Sequence, residues 1–181
     1  MTNRNEIAKV ILYTIGTTGL IIATLTAPNA VSLFAGLIKN KKYNKTQVRK
    51  SYSKLAKNKC ISITYENDKT IVRLTKEGKE RLLKFKLEDL QIQKPKKWDK
   101  KFRLIIFDVP EKFKSHRTEF ARRLKEIGFL ALQKSVWIHP HPCEDEVDFL
   151  KETYEISPYV RIVTAESIDI QSDLINKFNL Y

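Results

Sequence analysis

The sequence predicts an α+β chain in two units, on three observations. The basic excess lies wholly in the first half: residues 1–100 carry 22 Lys+Arg against 8 Asp+Glu, a net of +14, whereas residues 101–181 carry 12 against 13, a net of −1. The first half reads as three helices, a hairpin and a further helix; the second reads as β-α-β-β-α-β. Between them runs a polar stretch with Pro95 and the cations Lys94, Lys96 and Lys97. The 181 residues divide into a first domain at 1–88, a linker at 89–100 and a second domain at 101–181.

Composition narrows the class. At 42% hydrophobic the chain can bury a core, and Cys60 and Cys143 make no disulfide framework, so a reduced cytoplasmic protein is expected. A net charge of +13 points to a polyanionic partner, nucleic acid foremost. Val10 to Ile38 carries no charge, a length that would span a bilayer. Five threonines, three glycines and Pro28-Asn29 interrupt that run, so buried helices of a small domain are expected and no membrane partner. Acidic Glu6 and the lack of a small-residue cleavage pattern speak against a signal peptide.

In the first half, Asn5 to about Leu25 reads as an apolar helix that "TAPN" (26–29) breaks. A second helix follows through Val31, Leu33, Phe34, Leu37 and Ile38, then a basic loop over 39–45. Thr46 to Asn58 is a third helix, with Val48, Tyr52, Leu55 and Ala56 on one stripe. Alternation in Ile61, Ile63 and Tyr65, turn chemistry at 66–69 and a return through Leu74 make a β-hairpin. A helix over 75–85 completes the order of a winged helix-turn-helix.

Between Lys39 and Lys59 there are nine Lys/Arg and no acid. With Val48, Tyr52 and Leu55 turned inward, Gln47, Lys50, Ser51, Lys54 and Lys57 fall on or beside the outer face of the third helix. A winged helix presents that element to the major groove. Gln can read adenine edges there, and Lys can reach guanine or phosphate. Lys41, Lys42 and Lys45 in the loop, and Lys69 and Arg73 in the wing, suit phosphate contacts. The expected partner is double-stranded DNA. A lysine-rich solvated helix is the plainer alternative.

In the second half, Phe102–Asp108 is a strand. Ser115–Ile127 is a helix with Ser115 as N-cap and Gly128 as its stop. Leu130–Leu132 and Ser135–His139 are short strands. "HPHPCEDE" leads into a helix through Val147, Phe149, Leu150 and Tyr154, Tyr159–Val163 is the fourth strand, and 166–181 forms a last short helix. This is the ferredoxin-like order.

The stretch 98–142 carries Trp98 before the first strand, Asp108-Val109-Pro110 at its end, and Arg117 early in the next helix. Gly128 closes that helix, and Gln133, Ser135, Val136 and Trp137 follow. Over 98–165 the chain resembles the central domain of PaaX-type transcriptional repressors. That domain in turn resembles the small CRISPR-associated endonuclease of the spacer-acquisition complex. The resemblance implies a ferredoxin-like domain that forms a homodimer. It also implies that Asp108 pairs with its mate across the dimer axis to hold magnesium or manganese. The repressors carry a further C-terminal domain and respond to an aryl-CoA thioester.

Two functions stand beside each other: a dimeric DNA-binding regulator, and a metal-dependent endonuclease acting on RNA or DNA through Asp108. One carboxylate per chain, doubled by two-fold symmetry, would just suit magnesium. Alternatively, Asp108 only accepts backbone N–H groups in the "DVPEK" turn. His139, His141 and Cys143, at two-residue spacing, resemble a zinc set that lacks a fourth ligand.

Overall fold

The computed structural model describes residues 4–19, 21–24, 43–67 and 69–180. The chain forms two compact units, Met1–Asp89 and Leu90–Tyr181.

Helix α1 (Arg4–Thr18) opens the first unit. Ile7, Ala8, Ile11, Leu12 and Ile15 share one stripe and are buried. The helix ends seven residues short of the expected Leu25. The hydroxyls of Thr14, Thr17 and Thr18 each donate to a carbonyl one turn back, a habit that bends helices. Gly19 then takes φ +74°, a conformation that side chains resist. Strand β1 (Ile21–Thr24) follows, so the uncharged run from Val10 is not one helix. Among the described residues no helix is long and apolar enough to cross a membrane. The helix expected through 31–38, and with it Lys41 and Lys42, lie outside the described residues.

Helix α2 (Lys45–Lys57) starts one residue before the expected Thr46. Asn44 accepts from the Gln47 amide at 2.8 Å, and the Gln47 side chain accepts from the Asn44 amide at 3.0 Å, a reciprocal capping box. Val48, Tyr52 and Leu55 enter the core as expected. Strands β2 (Ile61–Glu66) and β3 (Lys69–Leu74) form the hairpin, with Asn67 at φ +47° in its turn. β1 adds to the far side of β3, Ile21 opposite Val72, giving the order β1-β3-β2. Helix α3 (Lys76–Asp89) runs four residues past the expected Phe85, and an ion pair from Lys9 to Asp89 ties its end to α1.

The second unit has β4 (Phe102–Phe107), α4 (Lys114–Glu126), β5 (Leu130–Gln133), β6 (Val136–His139), α5 (Glu144–Thr153), β7 (Val160–Ala165) and α6 (Gln171–Phe178). The sheet order is β5-β6-β4-β7 with every neighbour antiparallel, the ferredoxin-like arrangement. α4 begins at Lys114, out of a 3-10 turn at Glu111–Phe113, so Ser115 is inside the helix and not its N-cap. Gly128 stops α4 as expected, at φ +103°.

Alternation along β4 separates two faces. Ile105 and Phe107 point to one, where Phe107 meets Phe120 of α4 edge-on at 5.3 Å. Phe102, Leu104 and Ile106 point to the other. There Phe102 and Ile138 pack with Trp98 and with Leu174 and Phe178 of the tail helix α6. The rest of that face stays open: Ile106 is 41% and Val163 44% exposed.

Candidate nucleic-acid interface

The outer face of α2 follows from its buried one. With Val48, Ser51, Tyr52 and Leu55 inward, 100° per residue puts Thr46, Lys50, Ser53 and Lys57 opposite, with Arg49 beside them. All five are exposed, and no acid occurs in the helix. Lys45, Arg49, Lys50, Lys54 and Lys57 join no salt bridge among the described residues. A cation with no partner of its own is available to a phosphate.

Two expected contacts change role. Gln47 is half-buried and its side-chain oxygen is engaged in the capping box, so it pairs with a base through both amide atoms only by breaking the cap. Ser51 is 6% exposed and turned toward α1 and α3. It lies three residues beyond Val48, on the buried stripe that period 3.6 defines. In the hairpin Lys69 is exposed, while Arg73 reaches Thr64 at 3.5 Å and Glu66 at 3.9 Å. Sequence reasoning missed Arg49 and Tyr65. Tyr65 is 78% exposed: it keeps the inward phase of Ile61 and Ile63 but sits near the hairpin tip. Its place beside the turn was the available signal.

Asp108 lies just past β4, and its amide donates to the Tyr159 carbonyl at 3.0 Å. Its side chain is exposed and, among the described residues, makes no hydrogen bond and no ion pair. The turn after it is held by other groups. Arg117 donates to the Val109 carbonyl and to Glu111, both at 3.0 Å, and Lys114 pairs with Glu111 at 3.0 Å. Lys114 and then Arg117 hold the Glu111 carboxyl below the usual range. A cleft of about 660 Å³ opens at this strand end, lined by Phe107, Lys114, Arg117 and Lys134 among others.

One chain's donors do not fit magnesium or manganese. Asp108 offers a single carboxylate and Glu111 is engaged by two cations. Among the described residues no group of three His, Cys, Asp or Glu is placed to hold a metal. His139, His141 and Cys143 are buried structural groups. The His139 Nδ1 accepts from the His141 amide at 3.2 Å, and its ring packs against Phe129 and Phe178. Burial pushes His139 down to about 4 and the Cys143 thiol up to about 12, which suits neutral packing groups. Beside them Arg103, 6% exposed, pairs with Asp99 at 2.6 Å, and Trp98 donates to the Pro140 carbonyl at 2.9 Å. Together these bonds staple the segment before β4 to the turn after β6.

Sheet order and antiparallel pairing define the second unit as a ferredoxin-like domain. Residues 95–174 match the family described as the PaaX protein central Cas2-like domain. The match runs past the expected 98–165 into α6, whose Leu174 closes the core under Phe102. No curated protein matches the chain.

Proposed function

We propose that the chain is a PaaX-like DNA-binding transcriptional regulator. Its first unit docks on duplex DNA through α2 and the hairpin, and its second unit forms the homodimer. The observation that carries this reading is the outer face of α2, where exposed Arg49, Lys50 and Lys57 have no acid among them and no ion-pair partner among the described residues. A family of regulators supplies the context for such a face. The open strip at Ile106 and Val163 supports pairing of two second units through their sheets. Two-fold pairing would present two copies of α2, so the target should be an inverted repeat with half-sites about one helical turn apart or a multiple of it. In vitro selection of randomised duplexes by the full chain tests this. Enrichment of an inverted repeat is expected, and recovery of unenriched sequence contradicts a sequence-selective regulator.

A second reading, a divalent-metal-dependent endonuclease, is favoured by one observation: an exposed, unbonded Asp108 carboxylate one residue beyond Phe107, which lines a cleft with Lys114, Arg117 and Lys134. It needs a second Asp108 from the dimer mate to complete a metal's ligands. Manganese-dependent cleavage of RNA or DNA that vanishes in Asp108→Ala would support it. Equal cleavage by wild type and Asp108→Ala would sink it.

A further inference from the structure

Where α1, α2 and α3 meet, the first unit holds a pocket of about 80 Å³. That volume has room for about five waters or more, enough for a tetrahedral oxyanion. Its polar lining is one-sided: Lys50 and Lys54 come from α2, Arg81 from α3, and no lining residue is acidic. None of the three cations joins an ion pair among the described residues. The Arg81 guanidinium rests over the Phe85 ring at 5.6 Å, which limits its swing. Ala8 and Leu55 wall the site with apolar surface.

A second observation points independently to a ligand. Ser51 lines this pocket, is 6% exposed, and makes no hydrogen bond among the described residues. Many helical serines donate to their own backbone; this hydroxyl does not, and its oxygen is not sealed from solvent but opens onto the pocket. Here the hydroxyl sits at the wall of a cavity that three cations surround. A bound oxyanion would accept from the hydroxyl and from the cations at once, in charge-assisted bonds.

We propose that this pocket binds a small oxyanion of the phosphate class, and that occupancy antagonises duplex binding. The antagonism follows from shared residues: Lys50 belongs both to the pocket and to the outer face of α2, and Lys54 borders both. An anion in the pocket neutralises cations that the duplex would otherwise use. The antagonism rests on the duplex-binding reading above; the pocket itself does not.

The test uses the full chain, isotope-labelled and titrated with inorganic phosphate against chloride at constant ionic strength. Saturable shifts centred on Ala8, Ser51 and Leu55 are expected. Affinity should fall about tenfold or more in Ser51→Ala and in Arg81→Gln. Anisotropy of a labelled duplex then reads the coupling. Phosphate should weaken duplex binding by wild type beyond the effect of chloride. Arg81→Gln should bind the duplex as wild type does and lose that extra effect. Unsaturable shifts spread over the chain, or undiminished phosphate affinity in both variants, overturn the pocket. Weaker duplex binding by Arg81→Gln without phosphate assigns the pocket to the DNA backbone and also overturns the inference. If wild type binds no duplex while phosphate saturates, the pocket is supported and the antagonism, with the regulatory reading beneath it, is overturned.

Discussion

Asp108 and Arg117 divide one turn between them, and the division is measurable. Arg117 bonds the Val109 carbonyl and Glu111, while the Asp108 side chain bonds nothing among the described residues. Asp108→Ala should therefore change stability by less than about 0.5 kcal/mol, and Arg117→Ala should cost about 1–2 kcal/mol. Trp98 and Trp137 both lie in the second unit, so urea unfolding followed by tryptophan fluorescence reads that unit alone. A loss above about 1 kcal/mol in Asp108→Ala would return the residue to a turn-capping role. Gly78 makes a prediction opposite to helix propensity. Alanine normally stabilises a helix over glycine by about 1 kcal/mol. A β-carbon at Gly78 would lie 1.8 Å from the Cys60 carbonyl oxygen, so Gly78→Ala should cost about 3 kcal/mol or more, seen as a lower thermal midpoint by circular dichroism. Neither role was legible in the sequence. Asp at a strand end suits a metal or a cap equally, and Gly78 meets Cys60 only once the helix and the hairpin have packed. Ser51 was legible in principle, since its spacing from Val48 places it on the buried stripe.

Elements whose side-chain pattern is local were legible: the hairpin, α2, and the β-α-β-β-α-β order all emerge where periodicity and turn residues predict them. The end of α1 was not, because Ile21–Thr24 takes its conformation from pairing with β3, about fifty residues on. At the β6 exit the two-residue spacing of His139, His141 and Cys143 could not report that all three are buried. His139 there gives the second unit an acid sensitivity. Its ordinary value near 6.5 falls to about 4, chiefly through burial, so the unfolded chain binds the proton more readily than the folded one. Stability from neutral His139 is complete above about 6.5 and is lost as pH falls from there toward 4. The loss is about 3 kcal/mol. His141, also lowered by burial, adds to it in the same direction. Urea midpoints read by tryptophan fluorescence should drop between pH 7 and pH 4.5. His139→Phe should start lower at pH 7, having lost the bond to the His141 amide, and show a flatter pH slope. An unchanged slope would contradict the assignment.

At the scale of the molecule, the two units carry different charge and different surfaces. The second unit leaves Ile106 and Val163 open on a sheet face that α6 covers only in part. Ile106→Glu with Val163→Glu should convert a dimer to a monomer in analytical ultracentrifugation. Both residues are already exposed, so tryptophan-monitored stability should move by less than about 1 kcal/mol. The first unit carries the basic excess, which the sequence showed from composition alone, although the residues that present it were only partly legible. Gln47 and Ser51 are drawn into the cap and the interior, and Arg49 takes a place beside Lys50 and Lys57. The most direct test of that face is duplex affinity as a function of salt, for wild type and for Arg49→Glu with Lys57→Glu. Wild-type affinity should fall steeply with salt. The double variant should bind about tenfold or more weakly at low salt, with a log–log slope shallower by about 2, one for each phosphate that is no longer neutralised. Equal affinity and equal slope in the two proteins would contradict the assignment of α2 as the surface that meets DNA.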